Sequence, residues 1–205
     1  MLSLLAARAL LDIDAPATLA WLVTVMAARD DWPMSRVVSM LREVGPDAVT
    51  LPLISAAEAA IRAEGGEEQV SRLLRMMDTA HIERVSPVAV KIAREIRNPE
   101  LIAAALRMIR DPRGLDIVRA HARHESWFVR ASAIQVLGRI GDSSDVALLT
   151  KLLSDSHWWV RYRSARALLT LPDTPIARLE QIRNALEDRF AADILGQAIA
   201  EARQI

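Results

Sequence analysis

Apolar residues recur every three or four positions along most of the chain, which is the spacing of one face of an α-helix. Between residues 127 and 140, for example, the apolar positions include Val129, Ala133, Val136, Leu137 and Ile140. A half-buried strand would instead alternate apolar and polar residues. The pattern therefore predicts an all-α chain.

The same pattern returns after 31 residues. A shift of 31 aligns Trp127 with Trp158 and Arg130 with Arg161, and it extends backwards as far as Leu106. Three successive units therefore share one order of features: an apolar helix, a short polar turn such as RDPRG or GDSSD, and a second apolar helix. Two antiparallel helices in about thirty residues, repeated in series, are typical of an α-solenoid.

The rest of the chain carries weaker copies of this unit. The first thirty residues form a pair interrupted at DIDAPAT, and RFAADILGQAIAEA predicts a last helix that covers the final apolar face. We predict a right-handed α-solenoid of about six antiparallel helix pairs with a C-terminal capping helix. It should form one domain over residues 1–205, with its strongest repeats at 98–171.

The segment DSHWWVRYRSARALLTL resembles the HEAT-like repeat of the phycobilisome-lyase type, whose units run Asp, a spacer, Val-Arg, two small residues, Ala-Leu and then Gly-Asp. Asp155 and Arg161 occupy the acidic and basic positions of that repeat, and LGRIGD at 137–142 matches its helix end. The resemblance covers about Leu101 to Leu171. It implies a HEAT-like fold with an Asp-Arg ladder between repeats, incomplete where His124 replaces the Asp.

Composition restricts the possible compartments. The chain contains no cysteine, so it has no disulfide framework and no thiolate metal site, and we predict a cytoplasmic location. The longest apolar run, at 19–28, is half the length that a membrane-spanning helix needs. We predict no transmembrane segment. Because the chain begins on an apolar helix without a polar cap, it could be a soluble piece of a longer polypeptide.

No group of residues predicts catalysis. Di-iron hydroxylases with HEAT-like repeats place His-Glu directly after Val-Arg, whereas this chain has Ala131-Ser132 and Tyr162-Arg163 there. Its one His-Glu, at 124–125, precedes the helix. We therefore predict no enzyme activity, no metal and no cofactor. Bilin lyases and alkylpurine DNA glycosylases with such repeats remain alternatives, although the neutral net charge argues against a DNA glycosylase.

Aromatic residues occupy equivalent first-turn positions in two units, at Trp127, Phe128, Trp158 and Trp159. A regular stack would align them along one edge of the solenoid. One interpretation is a packing ladder between repeats. The other is that one tryptophan of each pair faces outward as a binding anchor, because Trp and Arg are favoured at interface hot spots. We take Trp127, Trp158 and Trp159 as candidate partner-binding residues.

Charge is unevenly distributed, although 24 Arg and 2 Lys balance 26 acidic residues. The net charge is −5 over residues 1–83, +6 over 84–139 and −1 over 140–205. Lys91 and Arg94 are one helical turn apart, as are Arg119 and Arg123, and both pairs are predicted on second helices. The family resemblance places second helices on the concave face. These four residues therefore predict an anionic-ligand groove, or else a solvated basic surface.

We predict a non-catalytic protein-protein interaction scaffold whose concave face and aromatic edge hold a protein partner, such as an acidic segment. A nucleic-acid-binding protein that uses the central basic groove is the first alternative. A regulatory domain of a membrane-anchored protein is the second. The sequence indicates neither an oligomeric state nor the identity of the partner.

Overall fold

The computed structural model of the protein describes residue 9 and residues 15–204. Helices joined by short turns make up residues 15–204, and no strand occurs among them. Twelve α-helices lie in this part of the chain: α1 Ala15–Ala28, α2 Met34–Val44, α3 Pro46–Arg62, α4 Glu67–Thr79, α5 Ser86–Glu95, α6 Pro99–Met108, α7 Leu115–His121, α8 Trp127–Ile140, α9 Val146–Leu152, α10 Trp158–Thr170, α11 Ile176–Ala185 and α12 Arg189–Ala202. The predicted all-α solenoid class is confirmed.

The helix boundaries follow the 31-residue repeat. Both α8 and α10 begin at the repeated tryptophan, and they end at Ile140 and Thr170. The polar turns that precede α7 and α9 each fold as one turn of 3-10 helix. Asp111 and Asp142 occupy equivalent positions in the repeat. Each carboxylate accepts a hydrogen bond from the backbone N–H of the residue two positions later. Local turn chemistry thus ends the first helix of each pair and starts the second.

A glycine separates α2 from α3. Gly45 has φ 98° and ψ 146°, a region that only glycine adopts without strain. Pro46 follows as the first residue of α3, where its missing N–H costs no intrahelical hydrogen bond. The Gly-Pro pair therefore lets the chain reverse direction between two helices without a longer loop.

The chain divides into two compact units, Met1–Leu101 and Ile102–Ile205. In the described part of the first unit, α3 packs against α1 and α4. Leu22, Leu53 and Met77, one from each of these helices, are fully buried. This three-helix contact forms the core of the first unit.

The second unit is built from two rows of helices. The first helices of successive repeats pack in series, α8 against α10 and α10 against α12, while α7, α9 and α11 pack against α8, α10 and α12 respectively. A close approach holds α8 to α10: a Cβ placed on Gly138 would lie 3.1 Å from the Cα of Ala167. The Thr170 hydroxyl donates to the Gly138 carbonyl at 2.7 Å, so the two helices are also hydrogen-bonded side by side.

Five of the six predicted helix pairs are present in full, from α2 with α3 to α10 with α11, and α12 follows as a single last helix. The first helix of the remaining pair lies outside the described residues, and its second helix is α1. The single-domain organisation and the right-handed twist remain predictions. None of the described helices is long and apolar enough to cross a membrane.

Candidate functional site

An ion pair between neighbouring repeats holds the loops that start α8 and α10. Arg130 donates from Nε and Nη2 to the two carboxylate oxygens of Asp155, at 2.8 and 2.7 Å, and the side chains are 12% and 9% exposed. The Nη1 group of Arg130 donates to the backbone carbonyls of His124 and Glu125. Asp155 also accepts the backbone N–H of His157 at 2.8 Å. This pair is one step of the Asp-Arg ladder that the family resemblance implies.

His124 lies at the position where the repeat has an Asp, and it makes the backbone hydrogen bond of that Asp but not its ion pair. Its Nδ1 accepts the backbone N–H of Ser126 at 3.0 Å, which reproduces the turn that Asp155 makes with His157. The repeat shift places Pro99 where α8 has Arg130, so no arginine is available to pair with an acid at this position. His124 instead lies edge-on to His121, with ring centroids 5.8 Å apart.

Five rings at the start of α8 and α10 form a surface that we call the aromatic edge: Trp127, His157, Trp158, Trp159 and Tyr162. The Trp127 and His157 rings stack across the two repeats, with centroids 3.8 Å apart and planes 4° from parallel. Trp158 stacks on Tyr162, one turn later in α10, at 5.2 Å. Trp159 meets both rings edge-on. The rings therefore order one another while their outer faces remain accessible.

Packing between repeats accounts for only part of the tryptophan positions, because Trp127 stacks on His157 of the next repeat but none of these tryptophans is buried. Trp127, Trp158 and Trp159 are 40%, 54% and 47% exposed, whereas Val129 and Val160 are fully buried. Successive helical residues are about 100° apart, so the valine two positions after the first tryptophan points to the opposite side. The two valines are therefore buried in the core, whereas both Trp158 and Trp159 face outward.

A further aromatic residue, Phe190, occupies the same position of the repeat and was not among the predicted candidates. Phe190 lies in the first turn of α12 and is 73% exposed. Extending the 31-residue shift forward by one unit aligns it with Trp159 and Phe128, so the signal was present in the sequence. Three successive first helices thus carry an aromatic residue at the same position.

A groove of about 300 Å³ lies between α8 and α10 next to the aromatic edge. We call it the arginine groove, since Arg139, Arg163 and Arg166 line it together with Gln135 and Tyr162. Tyr162 also stacks on Trp158, so the groove and the aromatic edge are continuous. Arg163, Arg166 and Thr170 are spaced by three and four residues, which is the one sequence signal that could have grouped them on a face of α10.

Hydrogen bonds to backbone carbonyls hold two of these guanidinium groups in place. Arg139 donates from Nη2 to the carbonyls of Arg107 and Ile109, at 3.1 and 2.5 Å, and so covers the C-terminal end of α6. Arg163 donates from Nη1 to the Ala131 carbonyl, at 3.1 Å, and to the side-chain oxygen of Gln135, also at 3.1 Å. In each case one nitrogen anchors the group, and its other nitrogens are not used by these bonds.

The arginine groove has an excess of positive charge. Neither Arg139 nor Arg163 makes an ion pair with any described residue. The same is true of Arg107, which donates to the Ser132 hydroxyl at 3.5 Å. Burial and the charge of Arg107 lower the pKa of Arg163 below its usual range, and burial and the charge of Arg110 do the same for Arg139. Arginine stays protonated at neutral pH, so these partly buried guanidinium groups remain positively charged.

The four basic residues predicted on second helices differ in their surroundings. In the first unit, Lys91 lies 3.7 Å from Glu58, and Arg94 is exposed on α5. In the second unit, Arg119 donates to Asp145 at 2.7 Å and to Asp142 at 3.1 Å. The hydrogen bond to Asp145 raises the pKa of Arg119 further above its usual range.

Arg123 lies just beyond the end of α7 rather than on it. It lines a second groove, of about 360 Å³, together with Lys151, Leu148 and the Arg130–Asp155 pair. The prediction that Arg119 and Arg123 share one strip with Lys91 and Arg94 remains a prediction. Among the described residues, no group of three His, Cys, Asp or Glu side chains is placed to hold a metal ion.

The fold defines the class of protein: a repeat of stacked helix pairs, here with exposed aromatic rings and arginine side chains on one surface. A model of HEAT repeats matches residues 86–170 and 120–200, which together make up more than half of the chain. The chain belongs to the HEAT repeat family. The narrower likeness to phycobilisome-lyase-type repeats remains a prediction.

Among solved structures, an engineered protein is similar over nearly the whole chain. The crystal structure of an engineered protein from the Northeast Structural Genomics Consortium matches with a TM-score of 0.50 and 15% identity, over 98% of each chain. At this identity the likeness concerns the fold alone. A search of curated proteins found no match. HEAT repeats generally serve as protein-interaction scaffolds, which is the functional statement that the family supports.

Proposed function

We propose that the protein is a non-catalytic scaffold that binds a protein partner through the aromatic edge and the adjoining arginine groove. The observation that carries this proposal is the exposure of Trp127, Trp158 and Trp159 in one ordered cluster. Tryptophan, tyrosine and arginine are the residues most enriched at interface hot spots. Contiguous exposed apolar surface of this kind marks interaction sites in soluble proteins.

The chemistry of the surface supports an acidic partner segment. Arg139 and Arg163 have donor nitrogens that these hydrogen bonds do not use and no ion-pair partner among the described residues, so a carboxylate or other anion would balance their charge. An apolar or aromatic side chain next to that anion would meet Trp158 and Tyr162. The use of a concave face, and a contribution from Lys91, Arg94, Arg119 and Arg123, are parts of the proposal that need separate tests.

Two narrower statements belong to the same proposal. The Arg130–Asp155 pair supports the phycobilisome-lyase type of HEAT repeat, because an Asp and an Arg from successive repeats meet at the positions of that repeat. The absence of cysteine from the chain supports a cytoplasmic location.

The test is binding of a purified partner to matched tryptophan variants. A partner is first isolated from the native host with the tagged protein and identified by mass spectrometry, and its dissociation constant is then measured by calorimetry. Trp158→Ala should weaken binding by about 2 kcal/mol or more, which is roughly thirtyfold, while leaving the thermal unfolding temperature nearly unchanged.

Trp21→Ala is the matched control, since Trp21 is a half-exposed tryptophan on α1 in the first unit. It should leave the dissociation constant unchanged. Equal affinities for wild type, Trp158→Ala and Trp159→Ala would show that the aromatic edge is not the binding surface.

A nucleic-acid ligand is the second candidate, and one observation favours it. Stacked rings beside arginines without ion-pair partners also suit single-stranded nucleic acid, whose bases stack on aromatic side chains and whose phosphates pair with arginine. Its binding constant should fall steeply with salt, by about 0.7 logarithmic units per contacted phosphate for each tenfold rise in concentration. Titration of a labelled oligonucleotide at two salt concentrations distinguishes this candidate from a protein partner.

A further inference from the structure

The arginine groove collects positive charge at a site where the fold provides little to offset it. Arg139, Arg163 and Arg166 line one space of about 300 Å³, and Arg107 is close enough to lower the pKa of Arg163. Only Arg166 has an acidic partner among the described residues, Glu201 at 3.3 Å, and that pair is exposed. A ligand that enters this groove therefore meets several guanidinium groups and no competing carboxylate on α8 or α10.

The guanidinium groups are also held in position before any ligand arrives. Arg139 is anchored to the carbonyls at the end of α6, and Arg163 to the Ala131 carbonyl and Gln135 on α8. A long flexible arginine normally loses rotamer freedom when it binds an anion, and groups that are already ordered lose less. The anchoring thus favours a ligand with several acceptor oxygens over a diffuse cloud of counterions.

We propose that the arginine groove is a binding site for the phosphoryl group of a phosphorylated side chain on a partner protein. This inference rests on the proposed scaffold function for the choice of a protein as the partner. A phosphoryl group brings a charge of about −1.5 to −2 and three strong acceptor oxygens, whereas a carboxylate brings one charge and two oxygens. Arg139 and Arg163, which have no ion-pair partner among the described residues, match the larger charge, and arginine pairs with phosphate through two parallel hydrogen bonds.

The surroundings of the groove suit a side chain within a peptide rather than a free ion. The groove volume exceeds that of a phosphoryl group, so the carrying side chain has space as well. Tyr162 lines one wall and continues into the stack with Trp158, where a neighbouring residue of the same peptide would lie. The aromatic edge and the arginine groove would then bind adjacent residues of one segment.

The probes are four immobilised heptapeptide libraries, randomised except for a central phosphoserine, phosphotyrosine, glutamate or serine. We expect the full chain to be retained about tenfold more strongly by a phosphorylated library than by the glutamate library, which corresponds to ~1.4 kcal/mol. The phosphoserine and phosphotyrosine libraries show which residue carries the group. Equal retention by the glutamate and phosphorylated libraries, or no retention by any, would refute the inference.

Variants link retention to this groove. Arg163→Gln and Arg139→Gln should abolish the preference for the phosphorylated library, and Arg178→Gln, which removes the same charge from an exposed position on α11 outside the groove, should preserve it. Arg163→Lys keeps the charge but not the paired donors, so it should lower the preference and remain folded by circular dichroism. A preference unchanged in Arg163→Lys and Arg163→Gln would place the phosphoryl site elsewhere and overturn the assignment.

Failure of this inference and failure of the scaffold function give different results. If glutamate and phosphoserine libraries bind equally and both depend on Trp158, the scaffold function stands and the phosphoryl site does not exist. A labelled 12-mer of single-stranded thymidylate serves as the nucleic-acid arm. If it binds through Arg163 more tightly than any peptide library, the ligand is a nucleic acid, and both proposals for this surface are wrong.

Discussion

The ion pair between Arg130 and Asp155 gives a direct test of how the repeats are held together. Asp155→Asn keeps the size of the side chain and an oxygen that can still accept the His157 N–H. It removes the negative charge opposite a guanidinium group that is only 12% exposed. Removing one partner of a buried pair typically costs 3–5 kcal/mol, because the other charge is left without compensation.

We expect about 3 kcal/mol, the lower end of that range, for a structural reason. The Nη1 group of Arg130 keeps its hydrogen bonds to the carbonyls of His124 and Glu125, so part of the environment of the charge survives the substitution. The measurement is the free energy of unfolding in urea, followed by tryptophan fluorescence and by circular dichroism.

Two comparison variants determine whether the buried pair is responsible. Glu201→Gln breaks the pair with Arg166, whose side chains are 48% and 42% exposed, and should cost less than about 1 kcal/mol. The double variant Arg130→Met with Asp155→Leu replaces both charges by apolar groups and should regain much of the lost stability. If Asp155→Asn costs no more than Glu201→Gln, the ladder step does not stabilise the stack, and this reasoning fails.

Three further substitutions test other parts of the fold. Gly45→Ala should lower the free energy of unfolding by about 1–3 kcal/mol, because φ 98° with ψ 146° is strained for any residue with a Cβ; an unchanged urea midpoint would contradict this. Gly138→Leu should cost about 1–3 kcal/mol by forcing α8 away from Ala167, and a stability equal to wild type would show that this contact is loose. Asp188, whose pKa is lowered by a hydrogen bond from Ser154 and by backbone N–H groups of α12, stabilises the fold above its unfolded pKa of about 4, and this contribution is lost as pH falls through the lower folded value. Asp188→Asn should therefore show a shallower loss of stability between neutral and acidic pH than wild type, and parallel pH profiles would rule the linkage out.

Much of the architecture could be predicted because its causes are local. The 31-residue shift located the starts of α8 and α10 since the tryptophan, the Val-Arg pair and the following apolar spacing all lie within one helix. The turn acids Asp111 and Asp142 act on backbone groups two residues away. Signals of this short range are present in a single sequence, which is why the helix starts and the polar turns of the strongest repeats could be predicted.

The candidate site depends on contacts between residues that are far apart in the sequence. Arg163 meets Ala131 and Gln135, and Arg130 meets Asp155, across 25 to 32 residues, because α8 and α10 pack side by side. The excess of basic residues at 84–139 made Arg119 a predicted candidate for binding an anion. In the folded chain Asp145 and Asp142 neutralise that residue, while Arg163, outside the counted segment, has no acidic partner among the described residues.

The amino-acid sequence by itself determined that this is a repeat of helix pairs, since helix periodicity and turn chemistry are properties of neighbouring residues. It also placed aromatic rings at equivalent first-turn positions, but it left their burial open. Equivalent positions in two repeats become buried or exposed according to whether a neighbouring helix covers them. Only the tertiary structure decided that Val129 and Val160 face the core while Trp127 and Trp158 face outward, and that the contact at Gly138 brings arginines of separate repeats into one groove.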